Sequence, residues 1–177
     1  MNLRGLLVGF AVCVLLCLSA TPSPAETVIE AWRSPFGYPA SVSVNPSDGS
    51  CWAATGASVM HLAPDGTILS QTDGFWIPEG VSVHPTDGSC WVADSLNHQV
   101  VHLAEDGTEL WRGGSFSRPI RVSVNPTDGS CWVADRDNNE VVHLADNGAE
   151  LWRGGDFDTP MSVSVNPTDD SCWVADT

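Results

Sequence analysis

The 177-residue sequence contains no lysine, and its seven basic residues are all arginines. Against 22 acidic residues this leaves a formal net charge of −15. A chain of this charge repels the phosphate backbone of nucleic acids and the anionic surface of membranes, so we expect neither as a partner. Apolar residues make up 42% of the chain and charged ones only 16%, a composition typical of a globular protein rather than a disordered one.

The sequence also lacks a hydrophobic run long enough for a transmembrane helix. Its longest apolar stretch, residues 5–18, is shorter than the ~20 residues that cross a bilayer. A short, positively charged start precedes this stretch, and a small-x-small site at residues 23–25 follows it. This arrangement predicts a secretory signal peptide over residues 1–25, with cleavage after Ala25 or, as the weaker choice, after Ala20. We therefore expect a secreted protein, extracellular or periplasmic, with an uncleaved membrane anchor as the alternative.

Common catalytic signatures are missing as well. The sequence contains no Gly-x-Ser-x-Gly elbow, no His-Glu-x-x-His pair and no phosphate-binding loop. What it has in abundance is turn residues, with 16 Gly and 12 Pro. A chain rich in turns and poor in helical periodicity is typical of short strands joined by tight connections.

Four copies of one unit follow the apolar leader. A Cys-Trp pair recurs about every 40 residues, and the longest shared text reads VSVNPTDGSCWVAD, then VVHLA, then ELWRGG. Each copy contains four strand-like pieces separated by Asp-Gly or Asn-Gly turns. The third copy predicts strands at 121–125, 130–135, 140–145 and 149–153. Four short antiparallel strands in ~40 residues are typical of a β-propeller blade.

The copies resemble NHL-type repeats and the related propellers of streptogramin lyase and gluconolactonase-like proteins. The resemblance rests on the Val-x-Val start, the Trp-Val-Ala-Asp strand, the asparagine that follows it at Asn97 and Asn138, and the Asp-Gly turn. It covers the chain from about residue 27 onward. It implies a β-propeller fold but no particular activity, because these families share blades while differing in chemistry.

The order of the predicted strands indicates an incomplete propeller. A lone outer strand at 27–33, which aligns with the fourth strands of later copies, precedes the blades. Full blades are then predicted at 39–77, 78–118 and 119–159, with a half blade at 160–177. We therefore expect an all-β arc of about three and a half blades, a fragment that could self-associate through its open blade edges. A closed four-bladed ring completed by residues 27–33 is the alternative.

Cysteine and histidine recur with the repeat and are predicted to be structural. Equivalent positions on neighbouring sheets lie ~10 Å apart, whereas bridged cysteines need Cα atoms within ~7 Å. We therefore expect no disulfide and four buried thiols, at Cys51, Cys90, Cys131 and Cys172. The repeated histidines lie on separate blades, too far apart to share a metal ion, so we expect structural roles for His61, His102 and His143.

Candidate binding residues lie on the connections that differ between copies. In a four-strand meander, alternate turns fall on opposite faces. The turns after the first and third strands are nearly identical between copies, while the loops after the second and fourth strands vary. Binding residues usually occupy variable loops on a rigid scaffold, although simple sequence drift is the alternative for any single position. The candidate residues are Trp76, Glu79, Asn97, His98, Arg118, Arg121, Arg136 and Asp137.

Two classes of function remain open. The favoured one is a non-catalytic module that binds an unknown protein, peptide or glycan, with no cofactor and no metal site. The alternative is a metal-dependent enzyme of the lactonase or lyase kind, with a divalent cation such as Ca²⁺ at the channel mouth. That site would need blades missing from this chain, and only Glu79 fits its requirement for converging, non-repeated acids. Binding is favoured for that reason.

Overall fold

A computed structural model describes residues 39–177, which contain fourteen β-strands. The predicted signal peptide and the predicted strand at 27–33 lie outside the described residues. The first two repeats form β1 (Pro39–Val44), β2 (Cys51–Thr55), β3 (Ser58–Leu62), β4 (Ile68–Asp73), β5 (Pro78–Val83), β6 (Cys90–Asp94), β7 (Gln99–Leu103) and β8 (Glu109–Gly113). The remainder forms β9 (Pro119–Val124), β10 (Cys131–Asp135), β11 (Glu140–Leu144), β12 (Glu150–Gly154), β13 (Ser162–Val165) and β14 (Cys172–Ala175).

These strands form three four-stranded antiparallel sheets and one two-stranded sheet. Each sheet is a meander in which hydrogen-bonded neighbours follow chain order, from β1 to β4, β5 to β8, β9 to β12 and β13 to β14. The first strands of successive sheets pack beside one another, β1 on β5, β5 on β9 and β9 on β13. The predicted fold class, an all-β propeller of about three and a half blades, is confirmed.

The only helical pieces in the described part of the chain are two three-residue 3₁₀ turns, Ser95–Asn97 and Arg136–Asn138. Each follows the second strand of its blade. None of the helical segments in residues 39–177 has the length and apolar character needed to cross a membrane. The structure in this range is therefore built almost entirely from strands and their connections.

The hydrophobic core lies between neighbouring sheets. Trp52 of the first blade packs in one buried cluster with Val81, Val92 and Val101 of the second. Trp91 of the second blade packs in the same way with residues of the third, including Val133. Each such side chain, once fully buried, contributes about 1.5–3 kcal/mol, so stability depends on stacking one blade against the next.

Serines on the first strands join adjacent blades. The repeated Val-Ser-Val pattern buries the valines of β5 and β9, whereas Val42 and Val44 of β1 are exposed. In each case the serine hydroxyl lies beside the next blade's first strand. Each hydroxyl accepts a hydrogen bond of 3.0–3.2 Å from a backbone N–H there: Ser41 from Val81, Ser43 from Val83, Ser82 from Val124, and Ser123 from Val165. Each first strand lies at the edge of its sheet, so some of its backbone N–H groups have no neighbouring strand to bond to. The serine hydroxyls accept hydrogen bonds from these N–H groups.

Histidines that stack on tryptophans of their own blade form a second contact with the next blade. Within each blade the rings of Trp52 and His61, Trp91 and His102, and Trp132 and His143 stack with centroids 4.2–4.6 Å apart. His61 Nδ1 lies 2.9 Å from the carbonyl oxygen of Glu105 in the next blade, and His102 Nδ1 lies 3.0 Å from that of Asp146. A carbonyl oxygen only accepts, so each Nδ1 carries the proton. The histidines thus anchor the turns of the following blade.

The four cysteines of the described residues form no disulfide. Three are buried and Cys172 is half-buried. Each thiol donates to the carbonyl oxygen of the tryptophan that follows it, at 3.4–3.5 Å. Burial raises the pKa of the Cys90 and Cys131 thiols, which keeps them protonated and unreactive at neutral pH.

The serine contacts predict a specific cost of substitution. Ser82→Ala removes the acceptor of the Val124 N–H and should lower the free energy of unfolding by ~1 kcal/mol. Ser164→Ala is the matched control, because Ser164 holds the same position in its blade but its hydroxyl makes no hydrogen bond within residues 39–177. Urea unfolding of the two variants checks this. Equal losses would contradict the role assigned to Ser82.

The buried histidines predict that stability falls in mild acid. Burial lowers the pKa of His102, an effect that the Asp146 carboxylate only partly offsets, and burial also lowers the pKa of His143. As the pH falls, these histidines therefore become protonated in the unfolded chain before they do in the folded one. Their contribution to the free energy of unfolding is constant above pH ~6.5, and the free energy of unfolding decreases below that pH. Urea unfolding at pH 7.5 and 5.5 should show this decrease, and His102→Gln should reduce it. If His102→Gln lost as much stability between pH 7.5 and 5.5 as the unmodified protein, His102 would not be a source of the pH dependence.

Candidate functional site

The loops after the second and fourth strands of the blades lie on one side of the structure, here called the loop face. It comprises residues 56–57, 74–80, 94–98, 114–121, 135–139 and 155–162. The opposite side, formed by the turns after the first and third strands, is called the turn face. All eight candidate binding residues belong to the loop face, and two buried aspartates determine its backbone.

Asp94, the last residue of β6, is fully buried beneath the loop face. Its Oδ1 accepts a hydrogen bond of 2.7 Å from the backbone N–H of Trp76. Its Oδ2 accepts two more, each 2.8 Å, from the side-chain amides of Asn97 and Gln99. A buried carboxylate is tolerated only when it is well hydrogen-bonded, so Asp94 and the loops around it fix one another.

The next blades repeat this arrangement. Asp135, also fully buried, accepts from the N–H of Ser117 at 2.7 Å and from the side-chain amide of Asn138 at 2.8 Å. Burial raises its pKa, against the effect of these hydrogen bonds and of Arg153, whose Nη1 lies 3.5 Å away. In the last pair of strands, Asp176 accepts from the N–H of Asp158 at 2.8 Å.

A further bond recurs between each 3₁₀ segment's loop and the loop that follows it along the chain. The N–H of Arg118 donates to Nδ1 of His98, and the N–H of Thr159 donates to Oδ1 of Asn139, both at 3.0 Å. His98 and Asn139 both adopt left-handed backbone, with φ of 56° and 58°. The carbonyl oxygen of Trp76 accepts the N–H of Leu96, and the carbonyl oxygen of Ser117 accepts the N–H of Asp137. Both donors lie in the 3₁₀ segments. The loop face therefore has one backbone frame that successive blades share.

Different side chains occupy the equivalent positions of this frame. Trp76 is 59% exposed where the next blade has Ser117. Arg136 takes the place of Ser95, and Asp137 that of Leu96. The frame is bonded mainly through backbone groups and buried carboxylates, so the side chains that project from it are free to differ.

The structure brings three of the candidate residues into direct contact. Arg118 Nη2 lies 3.5 Å from Glu79 Oε1. Arg121 Nη1 donates to the carbonyl oxygens of Glu79, at 2.6 Å, and of Ile120, at 2.8 Å. Gly80 makes this approach possible, because a Cβ there would lie 2.9 Å from the Ile120 carbonyl oxygen. Glu79, Arg118 and Arg121 therefore form one charged group where the first strands of the second and third blades begin.

The remaining candidates divide between the frame and the surface. Asn97 donates to Asp94 and to the carbonyl oxygen of Gly74, and His98 accepts from Arg118, so both support the loops. Arg136 and Asp137 form a loose pair at 3.9 Å, and Trp76 projects into solvent. The sequence did not single out Asp94 and Asp135, although their repetition at the end of Trp-Val-Ala-Asp was a visible signal.

The described part of the loop face contains no metal centre. Within residues 39–177, no group of three or more His, Cys, Asp or Glu side chains is placed to hold a metal ion. An open depression of about 350 Å³ lies on the turn face. Its lining residues are Asp87, Ser89, Ala104, Glu105, Asp106 and Leu110. This depression thus lies away from the eight candidate binding residues.

Comparison with known proteins supports the fold. No protein-family model matches the chain, and no curated protein does. Among solved structures it is similar to hydrazine synthase of Kuenenia stuttgartiensis (TM-score 0.71, 13% identity, covering 80% of this chain and 42% of that one). It is also similar to a chain of a nidogen/laminin complex (TM-score 0.70, 15% identity, covering 86% and 61%).

A third similar structure is a protein of unknown function from Bacteroides caccae (TM-score 0.59, 20% identity, covering 77% and 52%). The chain therefore spans 42–61% of the length of these solved chains. They have propeller-like folds, and at such low identity the similarity establishes the fold alone.

The buried aspartate predicts a large effect of substitution. Asp94→Ala leaves the Trp76 N–H and two side-chain amides without their acceptor, so it should lower the free energy of unfolding by roughly 2–3 kcal/mol. Asp176→Ala removes the equivalent but exposed carboxylate and is expected to change stability little. Thermal and urea unfolding of both variants checks this. Similar effects of the two substitutions would contradict the importance of the buried carboxylate.

Proposed function

We propose that this protein is a secreted β-propeller of the NHL-like kind that acts as a non-catalytic binding module through its loop face. The observation that carries the proposal is the shared backbone frame, in which equivalent hydrogen bonds hold unlike side chains. The N–H groups of Trp76 and Ser117 make the same 2.7 Å bond to buried carboxylates, yet one side chain is a large exposed aromatic and the other a small hydroxyl. An exposed aromatic on a rigid frame is a common anchor of binding surfaces.

The turn face lacks this property. Its polar side chains bond to their own turns, as when Asn125 and Asp128 accept the N–H groups of Thr127 and Ser130. Backbone carbonyl oxygens of its turns accept hydrogen bonds from the preceding blade, as the carbonyl oxygen of Glu105 does from His61. Because the same contacts must form in every blade, the turn face keeps its sequence. The loop face is therefore the one supported as a binding surface.

The enzyme alternative has no comparable support. Glu79, the acid on which it relied, lies beside Arg118 rather than beside another acid. A glutamate beside an arginine suits a charged contact surface better than a metal site. The geometry therefore favours the binding function.

The experiment replaces loop-face residues by those of neighbouring blades, which the same frame already accepts. In the loop-face variant, Trp76→Ser, Glu79→Ile and Arg136→Ser copy Ser117, Ile120 and Ser95. The matched control, Asn147→Asp, copies Asp106 on the turn face. All three proteins are screened against a random-peptide display library and a glycan array.

We expect the unmodified protein and the turn-face control to select the same ligands, and the loop-face variant to bind them at least about tenfold more weakly. Circular dichroism and urea unfolding confirm that the variants are folded. Ligands that bind all three proteins equally, or no selected ligand at all, would contradict the proposal.

A further inference from the structure

We propose that Arg118, Arg121 and Arg136 form a carboxylate-binding site on the loop face, and that its ligand is an acidic side chain of a partner peptide. This inference rests on the proposed function, since it places the ligand on the same surface. It is carried by the difference between these three arginines and the other two of the described residues, Arg112 and Arg153.

Arg112 and Arg153 are neutralised within their own blades. Arg112 donates to Glu109 through Nε and Nη2, at 2.9 and 2.6 Å. Arg153 donates to Glu150 through Nε and Nη2, at 3.2 and 2.9 Å, and to Glu140 through Nη1 at 2.7 Å. These bidentate pairs have the geometry in which arginine binds carboxylates most strongly. They show how this chain satisfies a guanidinium when its role is structural.

Within residues 39–177 none of the three loop-face arginines forms a bidentate pair with a carboxylate, and Arg121 donates to carbonyl oxygens instead. Arg118 is 3.5 Å from Glu79, and Arg136 is 3.9 Å from Asp137, both longer than a charge-assisted hydrogen bond. The Nε atoms of Arg118 and Arg136 are shielded from solvent and have no hydrogen-bond partner among residues 39–177. Their side chains are nevertheless 37% and 28% exposed. A rotation that turns Nε outward would let a ligand carboxylate satisfy it together with an Nη.

The backbone positions of the three arginines lie near the start of β9. Arg118 directly precedes this strand, and Arg121 lies within it and reaches across to the Glu79 carbonyl oxygen. Arg136 opens the 3₁₀ turn in which the N–H of Asp137 donates to the Ser117 carbonyl oxygen, next to Arg118. Three of the five arginines in residues 39–177 thus lie on this part of the loop face, in a chain with a net charge of −15.

The chemistry of this area favours a single carboxylate. The planar guanidinium fork matches both carboxylate and phosphate. The net charge of −15 and the neighbouring Glu79 and Asp137 repel a polyanion at longer range. In the loop that leads to Glu79, Trp76 is 59% and Ile77 42% exposed, which offers apolar contact to a flanking side chain. An acidic residue flanked by apolar ones in a peptide satisfies both features.

The test observes the arginine Nε–H groups by ¹⁵N NMR, with signals assigned from Arg118→Gln and Arg136→Gln. The probe is acetyl-Leu-Glu-Leu-amide, and the matched control ligand is acetyl-Leu-Gln-Leu-amide. Inorganic phosphate and D-glucuronate are titrated separately. Arg112 and Arg153 serve as internal controls, because they already hold carboxylates.

We expect the Glu peptide to shift the Nε–H signals of Arg118 and Arg136 in a saturable manner, while the Gln peptide and the control arginines show no shift. Arg118→Gln should weaken binding at least fivefold. No saturable shift, or equal shifts with both peptides, would overturn the carboxylate site. Tighter binding of phosphate or glucuronate would overturn the assignment to a peptide.

The outcome separates this inference from the proposed function. If the Glu peptide does not bind but the loop-face variant still loses its selected ligands, the arginine site is wrong and the binding face stands. If neither experiment shows binding at the loop face, both are wrong.

Discussion

The hydrogen bonds around Asp94 and Asp135 are the constraint on which the rest of the loop face depends. Removing an ionised carboxylate from water is costly unless donors replace the lost hydration. Here the donors are a backbone N–H from the preceding loop and side-chain amides from the following one. The hydrogen bonds that stabilise the buried acid therefore also fix the position of the loops, in the second blade around Asp94 and in the third around Asp135.

Contacts between blades complete this arrangement and account for the difference between the two faces. Serine hydroxyls accept main-chain N–H groups near the axis, and stacked histidines reach main-chain carbonyl oxygens on the turn face. Such contacts recur in each blade, so the residues that make them cannot change independently. The loop face carries none of the stacked histidines, and those of its side chains that make none of the shared hydrogen bonds can differ without weakening the association of blades.

The sequence predicted the strands well, because they follow from local patterns. Strand β10, Cys131–Asp135, lies within the predicted 130–135, since the turn before it and the alternation within it are both readable. The role of Asp94 was not predictable in this way, because its partner Trp76 lies 18 residues earlier and no local pattern connects them. The 3₁₀ turns are too short to show a period. The exposure of Trp76 agrees with its lack of a counterpart in other repeats.

The most direct test of this account is amide hydrogen exchange at Trp76 and Ser117. If buried carboxylates fix the loops whatever side chains they carry, both amides should exchange at least about 100-fold more slowly than in an unstructured peptide, and at similar rates. Rapid exchange at Trp76 while the core strand amides of β6 stay protected would show that the loop is not held by Asp94. The shared frame, and the binding surface inferred from it, would then be contradicted.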